Sequence, residues 1–349
     1  LFLANTSFKP ITPMKKFFSY LMLGLFGTIT ACRSHAQQVE PTKQPAPYNG
    51  LIHVVLDRDF PDPTVISYNG KYYAYATQSP GGGGKMINIQ VAWSTDHEHW
   101  TYAGDALPQK PSWASNTQNF WAPDVFFDAK LNKFVMFFSA DPNELTGKWM
   151  GIAYADNPLG PFTDRGTPFM KGPSFHCIDP KAFVDPKTGK HFLYWGSDFQ
   201  PLRVQEMKDD WSDFKEGSQP TVVVEPGKDK SYSNLVEGSW LDYDNGTYYL
   251  YYSGDNCCGA GANYAVMIAK ADNPLGPFLR LGESDKTLNS AILVKDAVYT
   301  APGHNSIFTD EKGNKFIAYH AIEIVRKEKG RVMCISPIKY QNGWPVVTK

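Results

Sequence analysis

Five titratable side chains stand at the heads of five apolar stretches. They are Asp62 in D-P-T-V-I, Asp124 in A-P-D-V-F-F, Asp179 in D-P-K-A-F-V, Glu237 in E-G-S-W-L and His304 in G-H-N-S-I-F. A carboxylate at the buried end of a strand is costly unless partners offset its desolvation. Several carboxylates in one place repel, so their pKa values separate and one stays ionised while another keeps its proton. That division is what general acid–base chemistry needs. The competing explanation for each residue alone is a turn-forming aspartate, the better description of any isolated Asp-Pro. For Asp124 the two explanations balance, because W-A-P-D can simply fix a strand start. His304, among carboxylates, reads as a metal-water ligand or proton partner rather than a core histidine.

What would gather these residues is a repeated strand. K-Y-Y-A-Y-A-T from Lys71, K-F-V-M-F-F-S-A from Lys133, K-H-F-L-Y-W-G-S from Lys190, T-Y-Y-L-Y-Y-S-G from Thr247 and K-F-I-A-Y-H-A from Lys315 are five versions of it. Each follows a turn (N-G, L-N, T-G, N-G, G-N), and the starts are 62, 57, 57 and 68 residues apart. The titratable residues precede these starts by 9, 9, 11, 10 and 11 positions. A second marker, A-D-N-P-L-G-P-F, occurs verbatim at Ala155–Phe162 and Ala271–Phe278, two repeats apart. A period near 60 with strand–turn–strand signals is the pattern of propeller blades. The expected fold is all-β, one five-bladed β-propeller over residues 50–349, with a β-sandwich the alternative. Its ring symmetry would bring the five residues to one axis.

The rest of the chain narrows the setting. The 349 residues carry a formal net charge of -1, which gives no electrostatic footprint for nucleic acid. Aromatics make up 14%, with 29 glycines and 26 prolines, as suits a turn-rich β protein. Met14-Lys15-Lys16 precedes the apolar run Phe17 to Thr30, too short to span a bilayer comfortably and shaped like a secretory signal. Ile29-Thr30-Ala31-Cys32 is similar to a bacterial lipoprotein box, which would make Cys32 a lipidated first residue; cleavage after Ala36 is the alternative. Residues 1–36 are thus expected to be upstream sequence and signal, and 37–49 a tether. The protein is expected to be an exported, periplasmic or outer-membrane-anchored monomer whose membrane contact is the lipid. Cys177, Cys257, Cys258 and Cys334 remain, with pairing open and no zinc-type spacing.

Taken in order, D-P-T-V-I, W-A-P-D-V, I-D-P-K-A-F-V-D, V-E-G-S-W and P-G-H-N-S-I-F resemble glycoside hydrolase family 43, from Leu51 through the closing N-G-W-P-V of Asn342–Val346. The resemblance implies a general base at Asp62, a pKa-tuning and orienting carboxylate at Asp179, and a general acid at Glu237. It also implies a water-shelled calcium ion beside His304. Trp121, for which blade packing is the alternative, and Asp124 are candidate substrate contacts. The implied reaction is hydrolysis with inversion, the two carboxyl groups standing about 6.5–9.5 Å apart to admit a water. Its substrates would be arabinose- or xylose-containing plant cell-wall glycans. The expectation is an exo-acting α-L-arabinofuranosidase, with endo-1,5-α-L-arabinanase or β-xylosidase as alternatives. Loops at Gly81–Gly84 and Asn256–Ala262 would decide exo against endo action. A fructan hydrolase would need N-D-P-N, R-D-P and E-C, which these positions do not supply. A non-catalytic sugar-binding propeller would lack one carboxylate of the trio, and all three are present.

Overall fold

The computed structural model describes residues 52–81 and 84–348. The signal, Cys32 and the tether lie outside the described residues. The rest is a five-bladed β-propeller.

Each blade is an antiparallel sheet whose strands follow chain order from the channel outward. Blade one runs Thr64–Tyr68, Lys71–Ala76, Gln90–Ser94, Thr101–Asp105. Blade two begins with Trp121–Asp128 and Lys133–Ala140, blade three with Lys181–Val184 and His191–Trp195, blade four with Val236–Asp244 and Thr247–Gly254. Blade five takes Tyr299–Thr309, Lys315–Glu323 and Arg331–Gln341 from the end of the chain and its fourth strand, Val54–Leu56, from the beginning. Val54 pairs with Cys334 and Leu56 with Met333, and this closes the ring.

The repeated strand is nearly solid apolar because it is the second strand of every blade, covered on both faces. Side chains alternate across a strand, and in a propeller both faces meet a neighbouring blade. Tyr73 and Tyr75 of blade one pack with Phe134, Met136 and Phe138 of blade two, while Val135 and Phe137 point the other way, to Leu193 and Trp195 of blade three. Tyr248, Leu250 and Tyr252 of blade four face blade three; Tyr249 and Tyr251 meet Ile317 and Tyr319 of blade five. Tyr72 and Ala74 complete the circle against Ala318 and Met333. Each fully buried large side chain stabilises the ring by roughly 1.5–3 kcal/mol.

The tyrosine hydroxyls explain the second marker. Tyr75 donates to the Pro158 carbonyl at 2.5 Å, and Tyr194 donates to that of Pro274. Both carbonyls lie in copies of A-D-N-P-L-G-P-F, so that segment ties its blade to the preceding one.

Candidate active site

Each blade has a residue in the left-handed region on or just before its innermost strand, at Asp62 (φ 57°), Ala122 (44°), Asp179 (59°), Gly238 (60°) and His304 (46°). Aspartate and histidine tolerate this conformation better than most residues. Gly238 meets it freely, and it turns its N–H onto Asp179 Oδ2 at 3.0 Å.

Register shows which of these positions are equivalent. The fifth residues of the repeated strand, Tyr75, Phe137, Tyr194 and Tyr251, pair with Thr64, Asp124, Lys181 and Trp240. Asp62 and Asp179 lie two residues earlier, and their counterpart in blade two is Ala122, not Asp124. Equal spacing misleads there because the hairpin 129–132 is longer than the Asn69–Gly70 turn of blade one. Asp124 is instead built into the wall between blades two and three. Its carboxylate accepts from Lys181 Nζ at 3.0 Å and from the Ala182 N–H at 2.8 Å.

Asp62, Asp179, Glu237, His304 and Trp121 all line one cavity of about 380 Å³ at the channel mouth. Asp124 is not among its lining residues. Trp121 stacks on Phe175 with ring centroids 6.0 Å apart, and Lys148 Nζ sits 3.4 Å from its centroid. With Phe199, 56% exposed, they form an aromatic rim.

The three carboxylates have different surroundings. Asp62 is buried, which alone would raise its pKa, yet the carboxyl is held well below the usual range. Arg331 Nη1 donates to Oδ1 at 2.9 Å, His304 Nδ1 stands 3.3 Å from the same oxygen, and Thr77 donates to Oδ2. His320 Nδ1 stands 3.1 Å from the Asp62 N–H and 3.2 Å from Asp62 Oδ1, so this one ring nitrogen faces both the backbone and the carboxylate of the residue. Burial brings the His320 pKa down to about 4 and also lowers that of His304. Glu237 is raised, first by burial and then by the charge of Asp62, against the opposing donors Ser197 and Tyr264. Asp179 is raised well above its usual value by burial and by Glu237. Arg331 and the imidazoles thus favour the ionised form of Asp62, whereas burial and mutual repulsion favour the protonated form at Glu237 and Asp179.

Arg331, His320, Tyr264, Ser197 and Thr77 complete these surroundings and were not expected from sequence. One signal was available: at the sixth position of the repeated strand the other blades carry Ala76, Phe138, Trp195 and Tyr252, and only blade five carries a histidine. Cys257 and Cys258 form a disulfide, while Cys177 and Cys334 are buried free thiols.

The donors around His304 do not make a calcium cage. Calcium takes six to eight oxygens, yet Asp62, the nearest carboxylate, is already occupied by a guanidinium. No group of three or more His, Cys, Asp or Glu suited to a metal occurs among the described residues. An ion here would have one imidazole nitrogen and otherwise water.

Known proteins match most of the chain. The extracellular endo-α-(1→5)-L-arabinanase 1 of Bacillus subtilis is 26% identical over 296 residues, 81% of this chain and 86% of that protein. The β-D-galactofuranosidase xynD of Aspergillus niger is 27% identical over 304 residues, covering 82% of each. A crystal structure of an endo-1,4-β-xylanase from Bacteroides thetaiotaomicron superposes with a TM-score of 0.69 at 26% identity, over 85% of this chain and 97% of that one. The sequence profile of glycosyl hydrolases family 43 matches from Ile52 to Pro345, the closing strand of the ring through the last edge of blade five, and the chain belongs to that family.

Proposed function

We propose that the protein hydrolyses α-1,5-linked L-arabinofuranosyl chains at internal linkages, with inversion. The observation that carries the chemistry is the placement of Asp62, bonded to Arg331, and Glu237, held by Ser197 and Tyr264, in the wall of one cavity, with surroundings that push their pKa values in opposite directions. Asp62 takes a proton from a water as it attacks the anomeric carbon, and Glu237 gives its proton to the departing glycosidic oxygen. Asp179, hydrogen-bonded to Gly238 and next to Glu237, orients the acid and resists its ionisation. Arg331 and His304 keep Asp62 ionised in a buried place. Tyr264 and Ser197 fix the Glu237 carboxyl.

The name of the Bacillus relative supports arabinan as the polymer. The endo reading is supported by the open mouth, with its aromatic rim on one side and a second cavity adjoining through Cys258 and Arg331. The exo reading rests on the Asn256–Ala262 loop, whose first three residues reach the cavity.

Digestion of linear arabinan separates the readings. Endo action gives a ladder of oligosaccharides and an early fall in viscosity, and exo action gives arabinose from the first minutes. An enzyme inert on arabinan and on aryl α-L-arabinofuranosides, yet active on xylan or a galactofuranoside, would overturn the proposal.

A further inference from the structure

The Cys257–Cys258 disulfide lies outside the acid–base machinery, yet both cysteines line the same cavity as Glu237 and Tyr264. They belong to the loop joining the second and third strands of blade four. Cys257 is half-buried against Tyr264, Ala301 and Ile322, while Cys258 is exposed. The loop is fixed at its base: Asp255 N–H donates to the Leu235 carbonyl at 2.9 Å, and Asn263 N–H to that of Asn256 at 2.8 Å. Asn263 Nδ2 adds a bond to Asp255 at 2.8 Å. The sulfurs are thus held in place at the cavity wall rather than carried on a loose tip.

Cys258 and Arg331 also border a neighbouring cavity of about 460 Å³, with Asp59 and Lys327 in its wall. A chain leaving the catalytic cavity in this direction passes over the disulfide. Two bonded sulfurs present an uncharged, polarisable surface without a strong hydrogen-bond donor. The C–H face of a furanose ring matches such a surface by dispersion, and polar groups beyond it suit ring hydroxyls.

Resting on the arabinan reading above, we infer that the Cys257–Cys258 disulfide is a sugar-contact platform for the unit next to the one being cleaved, with the Asp59–Lys327 cavity taking the unit beyond. The platform serves pentosyl oligosaccharides and is bypassed by an aryl monoglycoside.

The test compares wild type with a Cys257→Ser/Cys258→Ser double variant on p-nitrophenyl α-L-arabinofuranoside and on arabino-oligosaccharides of increasing length. The expected result is a KM raised up to roughly ten-fold for the longer oligosaccharides, the scale of one lost ring contact, with kcat and the aryl substrate nearly unchanged. A second measurement keeps the cysteines: in Glu237→Gln enzyme, a saturating arabino-oligosaccharide should slow phosphine reduction of the disulfide, read by thiol alkylation and mass spectrometry, and arabinose should not. If wild type cleaves the oligosaccharides but the variant shows no length-dependent KM change and the sugar gives no protection, the platform is overturned and the arabinan reading stands. A wild type that cleaves no arabinofuranosyl substrate overturns both.

Discussion

Arg331, at the head of the third strand of blade five, donates to the Asp62 carboxylate of blade one at 2.9 Å. It is the nearest cation to the proposed base and the leading cause of that carboxyl's low pKa. In Arg331→Met, Asp62 should titrate about one to three units higher. The base works only when ionised, so the acid limb of kcat/KM against pH should move up. Glu237 loses the same cation at longer range, so the alkaline limb should follow by less. An acid limb that stays where it was in wild type would show that Arg331 does not set the state of Asp62.

Asp62→Asn and Glu237→Gln should each lower kcat by about 10²–10⁴ while circular dichroism stays native. Their substrate dependence should differ. A dinitrophenolate departs without a proton, so Glu237→Gln should recover much of its rate on that substrate and Asp62→Asn should not. Equal recovery by both variants would contradict the assigned roles.

Asp124→Asn should behave differently from either. It leaves the Lys181 ammonium buried, with the Trp240 ring 3.4 Å away but without its ion-pair partner. Breaking such a pair costs about 3–5 kcal/mol, which urea unfolding will read as a lower midpoint. KM of the folded protein should stay within about two-fold, since no ground-state contact is lost. A raised KM with unchanged stability would return Asp124 to the substrate site.

Chelation should cost little activity. The proton transfers are assigned to Asp62 and Glu237, and a water-shelled ion at His304 would act through charge alone. Assay after dialysis against EDTA measures this. A complete loss restored by calcium would show that the ion is essential.

The released sugar should first appear with inverted configuration, because the proposed pathway has one displacement by water and no glycosyl-enzyme. Proton NMR in the first minutes, ahead of mutarotation, reads the anomer. Retention, or transfer to added methanol, would require a covalent intermediate.

The repeated strand made the propeller legible because burial on both faces leaves an unbroken apolar run, and five such runs leave little choice of fold. It also led to Asp62, Asp179, Glu237 and His304, which lie on or just before the innermost strands and line one cavity. Asp124 misled because spacing along the chain was counted through a hairpin of different length, whereas register is measured across the sheet. Arg331 and Tyr264 gave no signal. Arg331 begins a third strand and Tyr264 immediately precedes one, where the repeat leaves no marker.

Closure of that ring has a consequence for biosynthesis. Asp62, Asp179 and Glu237 are all translated before blade five exists, yet Arg331 reaches Asp62 from 269 residues downstream. The imidazoles of His304 and His320 also arrive late, and the strand Val54–Leu56, among the first of the propeller to be made, waits for Arg331–Gln341. Contacts so distant in sequence form last and slowly. A nascent chain halted before blade five carries all three carboxylates but neither the guanidinium nor the imidazoles that face Asp62, the proposed base, so activity should await completion of the circle.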